Sequence, residues 1–157
     1  MKIKSISLVL VISSGFALSA CGDRTKFDVA KNWIPALSPG HGRLLVYHPR
    51  ELMTTLSTFT FVLNGEEIAD FNSGTGFYLD LKAGQYEISY NRLRRKLKIA
   101  IPAGESVYVK YTVVLEEEDG RNFRVDQVPM DQGAIEMDHV FLIEPKIPYF
   151  RVPYFYF

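Results

Sequence analysis

Through the middle of the chain, hydrophobic and polar positions alternate with a period of two, and glycine, proline or asparagine interrupts the pattern every 8–12 residues. Successive side chains of a strand point to opposite faces, so this alternation predicts half-buried strands. Arg43-Leu44-Leu45-Val46-Tyr47-His48 is a β-rich run halted by Pro49, and Thr58 to Leu63 alternates after it. Asn64-Gly65 reaches positive φ easily and predicts a two-residue type I′ turn into a returning strand, Glu66 to Phe71. Thr75 to Leu81 sets Phe77, Leu79 and Leu81 on one face and Tyr78 and Asp80 on the other. Lys82-Ala83-Gly84 turns the chain into Gln85 to Tyr90, with Tyr86, Ile88 and Tyr90 inward. Arg95 to Ile101 sets Leu97, Ile99 and Ile101 inward, and Glu105 to Glu116, the longest run, reads as a central strand. Asp119-Gly120 predicts a second hairpin, completed by Arg121 to Val128 with Phe123, Val125 and Val128 inward.

Strands of this number and spacing predict an all-β fold: a single antiparallel β-sandwich of about seven to eight strands. Helical spacing occurs only near 130–140, where Ile135, Met137 and Val140 are interrupted by Gly133, and one short helix is expected there. Residues 42–129 form the sandwich, and residues 130–157 hold the helix and an aromatic C-terminal extension. Residues 21–41, with Pro35, Pro39, Gly40 and several charges, read as a tether. Within them Phe27, Val29, Trp33, Ile34 and Leu37 allow one short helical turn or a strip packed on the domain.

The first twenty residues follow another logic. Lys2 and Lys4 precede an apolar run from Ile6 to about Leu18, and Leu18-Ser19-Ala20-Cys21 follows. Basic, then apolar, then small residues is the layout of a secretory leader. With cysteine at the cleavage point it resembles a bacterial lipoprotein signal. That resemblance implies that Cys21 becomes residue one and carries lipid, and that the leader is residues 1–20. An ordinary leader with an incidental cysteine and an uncleaved anchor are the alternatives, though the apolar run is short of the roughly 20 residues of a span. Gly22 follows the cysteine and Asp23 sits one position too late to resemble an inner-membrane retention signal. The expected address is therefore the outer membrane, facing the periplasm.

Removing the leader from the 157-residue chain leaves 137 residues, the size of one domain. Sixteen basic residues then face eighteen acidic ones, because the leader holds two lysines and no acid. A balance of −2 argues against general nucleic-acid binding. Cys21 is the one cysteine, so the domain has neither disulfide nor free thiol to use.

Several segments together carry a family likeness: Gly42 to Arg50, Val62 to Ile68, Gly76 to Leu81, Ala83 to Tyr86 and Ala103 to Val109. The arrangement resembles the bacterial DUF2846 group, small secreted or lipid-anchored domains of unknown function, over about Gly42 to Val128. Ala83-Gly84 stands where that group has Pro-Gly, and His48-Pro49 where Arg-Pro is usual. The resemblance transfers no catalytic residue. The turn-and-strand step also resembles carboxypeptidase-regulatory-like and transthyretin-like sandwiches, which implies a binding or spacer module.

Candidate chemistry is sparse. His41, His48 and His139 show no metal-ligand spacing, so no metal and no cofactor is expected. There is no Gly-x-Ser-x-Gly elbow, and Gly74-Thr75-Gly76 reads as a turn rather than a phosphate loop. Arg92, Arg94, Arg95, Lys96 and Lys98 place five cations within seven residues. They suit either a solvated strand edge or an anionic contact such as a head group or an acidic partner. Glu116-Glu117-Glu118-Asp119 is the acidic counterpart at the other hairpin. The end of the chain, Tyr149 to Phe157, has six aromatic rings in nine residues and two nearby prolines. It suits a groove-filling wrap or an exposed contact through Tyr154 and Phe155. A third reading, the terminal aromatic signal of an outer-membrane barrel, is disfavoured by short strands with charges on both faces.

The expected function is a non-enzymatic interaction or scaffold module. It is held to the membrane by lipid on Cys21 and meets an envelope protein through Arg92, Arg94, Arg95, Lys96, Lys98, Tyr154 or Phe155. A carrier of a lipid or glycan fragment is the alternative, with a pocket lined by Phe59, Phe61, Tyr86 and Tyr90. An envelope hydrolase would need Asp80 close to Glu87 or His48.

Overall fold

β1 (His41–His48) departs from strict alternation, because Leu44, Leu45, Val46, Tyr47 and His48 are all buried. A strand hides consecutive residues only when both of its faces are covered. Leu44 and Val46 join Phe77, Leu79, Val107 and Val109 in a core between two sheets. Leu45 and Tyr47 point the other way, into a second cluster with Phe27, Met137 and Val140. The computed structural model describes residues 24–51, 58–90, 95–116 and 120–146.

The remaining strands are β2 (Thr58–Leu63), β3 (Glu66–Asn72), β4 (Thr75–Lys82), β5 (Gly84–Tyr90), β6 (Arg95–Ile101), β7 (Ser106–Glu116), β8 (Gly120–Val128) and β9 (Phe141–Leu142). Two helices, α1 (Phe27–Ala30) and α2 (Met130–Met137), complete the described elements. One sheet has the order β8-β7-β1-β4-β9 and the other β3-β2-β5-β6. Pairing is antiparallel except between β1 and β7 and between β4 and β9. The all-β sandwich with one short helix near 130–140 is therefore the observed fold, with β9 and α1 added to it.

The hairpin turn behaves as its sequence requires. Asn64 has φ 49° and Gly65 φ 84°, the two positive values of a type I′ turn, and β2 and β3 pair around it. In the second hairpin Gly120 already pairs with Glu116, and residues 117–119 lie outside the described residues. Between these hairpins the chain changes sheet at the β3–β4, β4–β5 and β6–β7 connections, so β1 pairs with β4 and β7 rather than with β2.

Aromatic rings dominate the inter-sheet core. Phe71 meets Tyr111 edge to face at 4.9 Å, and Phe61 meets Phe77 at 5.2 Å. Such pairs add roughly 0.5–1.5 kcal/mol beyond the area they bury. Val125 is buried here with Phe123 beside it, but Val128 joins the second cluster, because positions 125 and 128 have opposite parity on a strand. In α2 the expected apolar stripe is likewise divided: Met137 and Val140 are buried, whereas Ile135 faces solvent. Gly133 takes the inward position instead. A Cβ there would lie 2.4 Å from Cγ of Tyr108, so only glycine lets the helix approach β7 this closely.

Candidate functional site

The second cluster makes a layer over the outer face of the five-stranded sheet. Residues 24–34 belong to this layer rather than to a free tether. The Phe27 amide donates to the Val140 carbonyl at 2.9 Å, and the Leu142 amide donates to the Thr25 carbonyl at 2.8 Å. Phe27 and Ala30 are buried beneath α1. Lys31 Nζ reaches Asp138 at 2.7 Å and links α1 to the end of α2. Residues 24–34 thus take up the short helical turn and packed strip that the sequence allows within 21–41, because Phe27 and Ala30 have an apolar surface to cover.

Two polar clamps hold this layer. Arg43 grips Asp80 and also donates to the Pro35 carbonyl at 2.7 Å, fixing the chain that leads into β1. On the other side, the Tyr47 hydroxyl donates to Glu136 at 2.8 Å, and Lys110 and Gln132 donate to the same carboxylate. Burial alone raises the Glu136 pKa. The hydrogen bonds from Lys110, Gln132 and Tyr47, with the charge of Lys110, outweigh burial and hold it below the ordinary value. Burial, followed by the bond to Glu136, pushes the Tyr47 phenol well above its usual range.

Against α1, β4 and β9 lies a groove of about 530 Å³. Ala30, Ile34, Tyr78, Leu142 and Ile143 form its apolar lining, Arg24 and Glu144 supply one charge of each sign, and Trp33 stands at the edge. Trp33 is 71% exposed. An indole in that position is unusual for a side chain that usually hides most of its surface. Its partial signal in the sequence was the apolar set Phe27, Val29, Trp33 and Ile34, whose partner surface emerges only from the assembled sheet.

The expected contact residues are divided. Arg95, Lys96 and Lys98 lie on β6, an edge strand, and all three are exposed. Lys96 is paired with Glu87 on β5 at 2.6 Å, and Arg95 and Lys98 are also engaged. Leu97 and Ile99 point inward between them. Arg92, Arg94, Tyr154, Phe155 and Cys21 lie outside the described residues.

The residues named for a carrier pocket are packed instead into the core. Phe59, Phe61 and Tyr86 are buried and Tyr90 is partly buried against them. Phe59 alone meets the rings of His48, Phe71 and Phe123. Nor does the hydrolase set assemble. Asp80 is on β4 with Arg43, Glu87 is on β5 of the other sheet with Lys96, and both point away from the core between them. His48 is buried, and its Nδ1–H donates to the Tyr111 carbonyl at 2.9 Å. His41 sits at the Pro39 carbonyl, and among the described residues no three His, Cys, Asp or Glu side chains group as metal ligands.

A family profile described as a protein of unknown function, DUF2846, matches residues 38–122. That span runs from the turn before β1 into β8 and leaves out the covering layer of residues 24–34 and α2. No curated protein and no solved structure matches the chain.

Proposed function

We propose that this chain, which belongs to the DUF2846 family, is a lipid-anchored module of the bacterial envelope that binds a partner rather than transforming a substrate. Lipid on Cys21 holds it to the outer membrane on the periplasmic side. Confinement to a surface raises effective concentration, so a weak contact suffices.

The difference between the two outer faces carries this reading. A layer of helices covers the five-stranded sheet, whereas the outer face of the four-stranded one keeps Thr60, Asp70, Lys96 and Lys98 exposed around a buried Val62–Ser89 pair. That face presents Thr60, Asp70, Glu87, Lys96 and Lys98, with Asp70 paired to Lys146, and it ends at the β6 edge with Arg95. An acidic partner surface would compete with Glu87 for Lys96 and engage the neighbouring cations. Tyr154 and Phe155 are the second candidate contact.

A photocrosslinking residue placed at Lys98 in the full-length protein, in its own envelope, tests the reading. The expected result is one defined protein adduct that is lost on Arg95→Glu with Lys96→Glu. An unchanged adduct, or none, refutes the β6 contact. Intact-mass analysis of the same protein reads the anchor, which Cys21→Ser should abolish.

A further inference from the structure

We propose that the layer over the five-stranded sheet lies on the membrane surface, with Trp33 at the lipid–water interface. This rests on the anchored reading of Cys21 and says which face the anchor turns toward the bilayer.

Among the described residues, the large apolar side chains that stay exposed are Val29, Trp33, Met130 and Ile135. All four belong to α1, the turn after it, or α2, and thus to the same covering layer. None lies on the four-stranded sheet. Clustering of exposed apolar groups on one side of a domain marks a contact surface, and isolated ones do not.

The length of chain ahead of the layer selects the occupant. Thr25 and Phe27 are fixed to β9 and the end of α2 by backbone hydrogen bonds. Arg24 lines the groove. Only Gly22 and Asp23 separate it from Cys21, and the three Cα–Cα steps span about 11 Å when fully extended. A lipid inserted at Cys21 therefore keeps Arg24 within that distance of the head groups, and with it brings near them the groove that Trp33 also lines. A bilayer is already present in that space, and a globular partner would have to enter a gap narrower than itself.

The chemistry of the face fits the interface. Tryptophan favours the head-group level, where its ring is apolar and its N–H remains hydrated. The aliphatic lining of Ile34, Leu142 and Ile143 meets acyl chain, while Arg24 and Glu144 remain among polar groups. The polar outer face of the four-stranded sheet, opposite this layer, is then turned toward the periplasm and a partner.

Trp33 is the chain's one tryptophan, so its fluorescence reports this site directly. The full-length lipidated protein is reconstituted in phosphatidylethanolamine–phosphatidylglycerol vesicles and tested with brominated lipids and with aqueous iodide. Brominated lipids should quench Trp33, and the iodide quenching constant should fall about twofold or more relative to the Cys21→Ser protein in buffer. A control carrying Trp33→Phe and Thr60→Trp places the indole on the opposite sheet, where iodide should reach it freely. A lipidated protein that floats with its vesicles yet shows a Trp33 open to iodide and untouched by brominated lipid overturns the proposal alone. Shielding from both quenchers also overturns it, and a chain ending at Lys146 then tells whether the aromatic tail is the cover. A chain without lipid on Cys21 overturns the anchored reading and this one together.

Discussion

Arg43 and Asp80 stand opposite each other in the β1–β4 register and are joined by two hydrogen bonds, Nε to Oδ1 at 2.7 Å and Nη2 to Oδ2 at 2.8 Å. The same Nη2 reaches the Pro35 carbonyl, and the Tyr78 ring lies 5.0 Å from the guanidinium carbon. One side chain thus joins the sheet, the groove wall and the incoming N-terminal segment. A lysine keeps the charge but lacks the planar fork. Arg43→Lys should cost about 1–2 kcal/mol in denaturant unfolding and speed amide exchange over residues 26–33. Unchanged exchange would show that the segment is held by its own contacts.

The close approach of α2 gives a second prediction. Ala is the better helix former by about 1 kcal/mol, so Gly133→Ala would stabilise a free helix. Here its Cβ meets Tyr108 at 2.4 Å. The expected outcome is a net loss of about 1–3 kcal/mol, the range for overpacking. Adding Tyr108→Gly, which removes the Cγ, Cβ and Cδ1 atoms the new Cβ would meet, should make Gly133→Ala cheaper than in the parent, which a double-mutant cycle measures.

Two buried tyrosines should respond with opposite signs to loss of their hydroxyls. The Tyr111 hydroxyl is buried with no hydrogen-bond partner among the described residues, whereas that of Tyr47 donates to Glu136. Tyr111→Phe retains the ring contacts and removes an unsatisfied polar group, so thermal unfolding should shift up by up to about 1 kcal/mol. Tyr47→Phe should lower stability by about 1–2 kcal/mol. A loss in Tyr111→Phe would reveal a partner for that hydroxyl.

Acid should weaken the fold in two stages. Burial lowers the pKa of His48 below 6.5, against the opposing pull of the Tyr111 carbonyl. Below pH 6.5 the unfolded chain takes up a proton that the folded chain resists, so stability falls as pH drops toward the lowered value. Glu136, also held below its ordinary 4.5, contributes fully above that pH and loses its contribution as pH falls through the folded value. Urea unfolding from about pH 2 to 8 should show a flatter upper limb in His48→Gln and a flatter limb below pH 4.5 in Glu136→Gln.

The strands were legible because period two and turn chemistry are local. Asn64-Gly65 requires a hairpin wherever it sits between alternating runs, and Tyr86 with Ile88 marks an inward face without reference to the rest of the chain. Sites were less legible. Phe59 and Phe61 have the composition of a pocket wall, and only packing against Phe71, Phe77 and Tyr111 shows that they fill the core. Asp80 and Glu87 are seven positions apart in the chain, yet the change of sheet after β4 sends them to opposite outer faces.

By itself, the sequence determined the all-β class, the hairpins, the one short helix near 130–140 and the family likeness, since each rests on spacing within a few residues or on a recognisable run of motifs. Tertiary structure decided which strands became neighbours, and therefore that β1 is covered on both faces. It also decided that residues 24–34 fold onto the sheet and that Trp33 is left at the edge of a groove. Those outcomes depend on surfaces contributed by β1, β4, α2 and β9, which are distant in sequence and meet only when both sheets are assembled.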